Sequence, residues 1–153
     1  GLGKRKNWLA LHPGSGSESK NWPEENWREL VGHLLDHSPL NLLLIGGEAE
    51  GDRLQRLANG MPSDRLEIAQ HIPLPELALR LAKCAGYVGH DTGMTHLAAA
   101  LGLPTLVLWG PSNETIWRPL GEKVRVLNQH SDLTELPLET VVKGINALDV
   151  EAF

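Results

Sequence analysis

The chain has 153 residues, 41% of them hydrophobic and 22% charged, which suits one compact domain burying roughly two thirds of its unfolded surface. Its single cysteine, Cys84, excludes an internal disulfide and matches a cytosolic composition, while a net charge of −5 and seven scattered histidines exclude the broad basic face that nucleic-acid binding needs. No apolar run approaches the roughly 18 residues of a membrane span, and "GLGKRKNW" lacks a signal peptide's apolar stretch and reads as a short solvated tail.

In chain order, "NWLALH" (7–12) is an apolar run that stops at His12-Pro13 and opens into glycines and serines, the pattern of a buried strand entering a loop. "WPEENWRELVGHLLDH" starts with Pro23 and two glutamates, then repeats Trp27, Leu30, Val31, Leu34 and Leu35 at helical spacing. "LNLLLIGG" (40–47) has the continuous apolar character of a strand buried on both faces, and "EAEGDRLQRLANG" predicts a helix ending near Gly60. "DRLEIAQ" is a weaker strand, "LPELALRLAKCA" a helix with Cys84 well inside it, and "GYVGH" a short strand. "TGMTHLAAALG" is a helix closed by Gly102 with Pro104 just beyond, followed by the buried strand "PTLVLWG". After the turn-rich "PSNETIWRPLG" come the strand "KVRVLN" and a terminal helix, "PLETVVKGINAL". About six strands alternating with helices predict an α/β fold with a doubly wound parallel sheet, Rossmann-like, without internal repeats.

In such sheets ligands bind outside the carboxyl ends of the strands, where loops lead into helix N-termini. The polar clusters lie there: "HPGSGSESKNW", "GGEAE", "HDTGMTH" and "WGPSNETIW". A metal site built on His90, Asp91 and His96 is disfavoured, because these residues supply no i,i+4 histidine pair on one helix face. A covalent nucleophile is equally poor, as there is no G-x-S-x-G elbow. An anion seat fits the local physics better. The first N–H groups of the helix starting near Thr92 have no internal partners and carry about half a positive charge. Gly93 admits a ligand to the backbone, Thr92 and Thr95 add hydroxyls, and Asp91 reads as the N-cap, of this seat or of a purely structural helix.

His96, a turn inside, either reaches the anion or fills a polar niche beside the sheet. "HPGSGSESK" offers a second seat, with Lys20 supplying a full charge, although its spacing is that of neither a P-loop nor a dinucleotide fingerprint. Glu48, after "LLLIGG", stands where a carboxylate would accept from ribose hydroxyls, or where it simply opens a helix. Trp22, Trp27, Trp109 and Trp117 read as packing residues, and Pro111 and Pro119 mark irregular backbone.

Together "HPGSGSESKNWP", "LIGGEAE" and "DTGMTHLAAALGLPTLVLWGPSNETIWRPLG" resemble, in order and spacing over about residues 7 to 128, the C-terminal half of the bacterial ADP-heptose:lipopolysaccharide heptosyltransferases of glycosyltransferase family 9. The D-T-G-x-x-H element and the K-x-W-P element, Lys20 to Pro23, carry the likeness most specifically. The resemblance implies a GT-B architecture, two Rossmann-like domains facing a cleft, with these residues as the donor-binding half. Carried over by motif, Lys20 contacts the donor phosphates, Glu48 the ribose, and Thr92 with Gly93 the diphosphate through backbone amides. Asp91 and His96 match the first and last residues of the family motif, His71 and Ile72 border the adenine slot, and Ser15 and Ser17 stand where small hydroxyl residues approach the phosphates.

The implied reaction is inverting transfer of heptose from ADP-heptose to a lipopolysaccharide inner-core acceptor, in the cytoplasm at the inner face of the inner membrane. No metal and no other cofactor is implied, since Lys20 and the helix N-terminus neutralise the leaving diphosphate. No catalytic residue is expected within these residues, because the family's general base lies in an N-terminal acceptor domain that this length does not accommodate. A single domain that binds nucleotide but transfers nothing by itself is therefore expected. Self-association through the face that would meet that domain, or disorder after about residue 130, is expected with it. The rival readings are a nucleotide-binding module without transferase activity and a domain of a UDP-sugar-using GT-B enzyme.

Overall fold

The computed structural model of the chain describes residues 5–14, 21–110, 123–128 and 132–148. Six strands, β1 (Arg5–His12), β2 (Asn41–Gly46), β3 (Leu66–Gln70), β4 (Cys84–His90), β5 (Thr105–Trp109) and β6 (Val124–Asn128), form one sheet in the order β3-β2-β1-β4-β5-β6. Every pairing is parallel, with Leu9 of β1 opposite Leu42 of β2 on one side and Gly86 of β4 on the other. This is the predicted doubly wound sheet.

Among the described residues five α-helices cover it: α1 (Glu24–His37), α2 (Arg53–Ala58), α3 (Leu74–Ala82), α4 (Gly93–Ala100) and α5 (Leu138–Asn146). Alternate residues of each central strand face opposite layers, which divides the core in two. Leu9, Leu11, Leu42, Leu44, Leu106 and Leu108 pack under the buried faces of α1, α2 and α5, whereas Ala10, Leu43, Ile45 and Tyr87 pack under α3 and α4. Both faces being covered explains why β2 and β5 read as unbroken apolar runs.

Three expectations are corrected. The helix over 48–60 is broken into a 3₁₀ turn, Glu48–Glu50, and the short α2, because Gly51 takes a positive φ of 52° between them. Cys84 is not inside a helix: α3 stops at Ala82, and Cys84 opens β4, where its backbone pairs with Arg5 of β1. Its thiol is buried in the α3/α4 layer. Residues 132–148 are packed rather than disordered, since Leu133, Leu136, Val141, Ile145 and Leu148 are all buried against the α1 side. The indole N–H of Trp22 fastens the approach to α5 by donating to the Leu136 carbonyl at 2.9 Å.

Candidate functional site

The strand order reverses beside β1: the chain runs outward through β2 and β3, then returns to lay β4 on the other side of β1. Loops leaving β1 and β4 therefore diverge and open a crevice at the carboxyl ends of the strands. A cleft of about 190 Å³ lies at that end, lined by His12, Ile45, Gly46, Gly47, His71, Ile72, Leu74, Leu77 and Met94. Its walls are mainly apolar side chains and glycine backbone, the surface that receives a flat ring. His71 takes a φ of 60°, which turns the chain sharply between β3 and α3 at this wall.

Met94 joins the cleft to the first turn of α4. Thr92 is the N-cap, with extended backbone and a hydroxyl that accepts from the Thr95 amide at 3.4 Å. The Thr95 and His96 amides also close on the Thr92 carbonyl, at 3.1 and 3.2 Å. Among the described residues the Gly93 and Met94 amides have no partner, and a Cβ built on the exposed Gly93 meets nothing within 4 Å. The positive end of α4 thus faces open space beside the cleft.

Beneath this surface lies a buried polar network. His12, at the end of β1, donates from Nε2 to Glu50 Oε1 at 2.9 Å, and the Gly47 amide donates to Glu50 Oε2 at 2.7 Å. Burial raises the Glu50 carboxyl, but the bonds from His12 and Gly47 outweigh it and hold the group below its ordinary range. His12 Nδ1 stands 3.4 Å from the Tyr87 hydroxyl, which is 3.0 Å from Thr95 Oγ1. The Thr95 hydroxyl donates to the His90 carbonyl, ending the chain. Burial is the main cause of the raised Tyr87 phenol, which stays neutral.

His90 ties down the two ends of the loop after β1. The Trp22 amide donates to His90 Nε2 at 2.8 Å, so Nδ1 carries the proton and donates to the Gly14 carbonyl at 3.2 Å. Arg53 adds a bond to the Pro13 carbonyl at 3.3 Å. Burial pushes His90 down to about 3, leaving it neutral.

With this geometry in place, residues 2–143 match the model of glycosyltransferase family 9 (heptosyltransferase). The chain belongs to glycosyltransferase family 9. It is similar to lipopolysaccharide heptosyltransferase 1 of Escherichia coli strain K12, 33% identical over 132 residues that cover 86% of this chain and 41% of that protein. It is also similar to a solved structure of E. coli heptosyltransferase WaaC with ADP, at 30% identity and a TM-score of 0.83 over 92% of this chain and 43% of that one. A structure of the same enzyme with ADP-2-deoxy-2-fluoro heptose gives 31% identity and a TM-score of 0.80, over 92% of this chain and 42% of that one. The chain spans under half the length of each.

In this family 9 chain, Ile72 and His71 line the cleft, while Thr92 and Gly93 form the entrance to α4. Glu48 is exposed in the 3₁₀ turn directly after Gly47, rather than opening an α-helix. His96 lies one turn into α4, and its Nε2, 3.9 Å from Asp91 Oδ1 and too far for a hydrogen bond, has no hydrogen-bond partner among the described residues. Ser15, Ser17 and Lys20 lie outside the described residues, as do Pro111, Trp117 and Pro119.

Two readings are overturned. Asp91 is not the N-cap, because the extended backbone and the capping bond belong to Thr92. The Thr95 hydroxyl is not offered to a ligand, since the side chain is fully buried and spent on His90 and Tyr87. Sequence reasoning missed Glu50 and Tyr87 altogether. The available signals were a second acidic residue two positions after Glu48 and a glycine two positions after Tyr87, neither distinctive alone.

Proposed function

We propose that these residues form the donor-binding half of a heptosyltransferase, taking ADP-heptose with the adenine in the cleft, the ribose toward Glu48 and the diphosphate at the N-terminus of α4. The observation that carries the reading is the continuity of an apolar, glycine-walled cleft with two unpartnered amides at a helix N-terminus, at the carboxyl end of a doubly wound sheet. The relatives named for heptose transfer, and the solved neighbours that hold ADP or an ADP-heptose analogue, supply the nucleotide and the sugar.

In the complete enzyme an acceptor hydroxyl of the lipopolysaccharide inner core attacks the anomeric carbon as its bond to the diphosphate oxygen breaks. The hydroxyl proton passes to a base outside these residues. The role proposed for this half is to bind the donor and to stabilise the charge that collects on departing ADP, through the α4 amides and Lys20 without a metal. The same reading has the enzyme work in the cytoplasm, peripheral to the inner face of the membrane, where a nucleotide sugar meets a lipid-linked acceptor. Among the described residues no helix is long and apolar enough to cross a membrane.

The test is thermal unfolding with ADP, UDP, GDP and CDP in turn, each with and without EDTA. At a hundred times its dissociation constant a ligand adds about 2.7 kcal/mol, a midpoint rise of roughly 5 to 10 °C for a domain of this size. A rise with ADP alone, lost in Lys20→Ala, is expected. A rise with UDP instead would move the chain to another donor class, and a rise that EDTA abolishes would overturn the metal-free reading.

A further inference from the structure

Behind the cleft sits a carboxylate that the donor reading does not use. Glu50 is 7% exposed, and its two oxygens serve different partners, Oε1 accepting from His12 and Oε2 from the Gly47 amide. The space around it is made by two glycines, Gly14 in the loop after β1 and Gly46 at the end of β2. A Cβ on Gly14 would stand 2.7 Å from Glu50 Cγ and Oε1, and one on Gly46 would stand 2.9 Å from Cγ. Neither position admits a side chain without displacing the carboxylate.

His12 and Gly47 are themselves part of the cleft wall, and the exposed Glu48 follows Gly47 directly. A short turn whose last side chain reaches back to its first amide, and is clamped by a neighbouring strand, retains little freedom. The direction in which Glu48 leaves the turn is therefore set from below.

We propose that Glu50 is a positioning residue for ribose recognition: by holding the Gly47 amide and His12 together, it fixes the turn that presents Glu48 to the ribose diol of the donor. This rests on the donor reading above, because it needs a nucleotide in the cleft. Glu50 itself touches no ligand. Its effect is to keep an acceptor in place for two hydroxyls, and an error of about 1 Å in such a placement forfeits most of the interaction.

The experiment compares ADP with 2′,3′-dideoxy-ADP, which lacks both ribose hydroxyls, by calorimetric titration of the whole chain. It is run on the wild type, Glu48→Gln, Glu50→Gln and Gly14→Ala. Glu50→Gln keeps the shape but turns an NH₂ toward the Gly47 amide or His12, and Gly14→Ala pushes the carboxylate from the other side without altering it. The wild type is expected to prefer ADP by roughly tenfold, the worth of a charge-assisted hydrogen bond. In Glu50→Gln and Gly14→Ala, as in Glu48→Gln, that preference falls toward unity while the dideoxy analogue binds as before.

A general loss of structure would instead weaken both ligands alike, and that result overturns the positioning role. So does an intact preference in Glu50→Gln, or in Gly14→Ala if the first variant does not fold. If the wild type binds both ligands without preference, the proposal fails and the donor reading stands. If it binds neither, the donor reading fails and the proposal falls with it.

Discussion

His90 and Glu50 are both buried and polar, yet burial leaves the first neutral while bonds from His12 and Gly47 keep the second charged against its burial. His90 is bonded as a neutral ring, with Nε2 accepting and Nδ1 donating, and its burial takes it down to about 3 from 6.5. The unfolded chain therefore binds a proton on this residue between those values while the folded chain refuses it. Its contribution to stability is complete above pH 6.5 and is lost as the pH falls toward 3, by about 1.4 kcal/mol per pH unit. Glu50 works in the same direction but later, its share being present above 4.5 and lost as the pH falls through its lowered folded value. Urea unfolding at steps from pH 7 to 4.5 should show falling stability, and His90→Gln should flatten that slope by about one proton. An unchanged slope in the variant would mean that His90 is protonated in the fold.

Two glycines make a second comparison at this scale. A Cβ at Gly89 would stand 2.5 Å from the Tyr87 hydroxyl, because the ring lies along the strand over Gly89 to reach His12 and Thr95. Gly89→Ala should cost about 1–3 kcal/mol by overpacking, read from the urea midpoint. Gly93 has open space where its side chain would be, so Gly93→Val should leave the unfolding midpoint nearly unchanged and remove the rise caused by ADP. A Gly93→Val protein that still responds to ADP would displace the diphosphate from α4.

Among the elements, α5 is the one whose place the sequence left most open. Val141 and Ile145 are fully buried four positions apart on one face, in the layer shared with Trp27, Leu30 and Leu34 of α1. Ile145→Ala should therefore cost about 2–5 kcal/mol in chemical unfolding, whereas a helix merely resting on the surface would lose much less.

The sequence made plain those elements whose pattern is local. The periodic α1 and the apolar runs of β2 and β5 emerge where expected, and Gly102 closes α4 with a φ of 82°. The start of β4 was illegible because Cys84, Ala85 and Gly86 carry neither a helical nor a strand period, and only pairing with β1 decides them. Asp91 and Thr92 are adjacent and both able to cap, so the choice between them belongs to backbone conformation rather than residue type. The site divided in the same way. The loop positions of Glu48, Thr92 and Gly93 followed from strand ends, but the His12–Glu50–Tyr87 network joins residues 38 and 75 positions apart, and no local pattern announces such pairs.

At the scale of the whole molecule, the net charge of −5 is acidic, whereas the donor proposed for the cleft is itself an anion. Long-range attraction is therefore not what draws a diphosphate in. In that proposal the oriented amides at the start of α4 act within a few ångströms, where screening by salt is weakest. The sheet order anchors the site, because His90 of β4 holds Gly14 and Trp22 at either end of the loop after β1, and Glu50 holds the turn after β2 to His12 of β1, both strands at the centre of the fold.

The central place of β1 has a price in time. Leu9, Ala10 and Leu11 are fully buried, and β1 needs a neighbour on each side, yet Cys84, which opens one of those neighbours, follows His12 by 72 residues. On a ribosome adding about 5–20 residues per second, the newborn strand waits about 4 to 14 s for β4 to be made. For those seconds a central strand of the future sheet, with Leu9, Ala10 and Leu11 all destined for the core, has an open edge, which is the interval in which a chaperone has the most to protect.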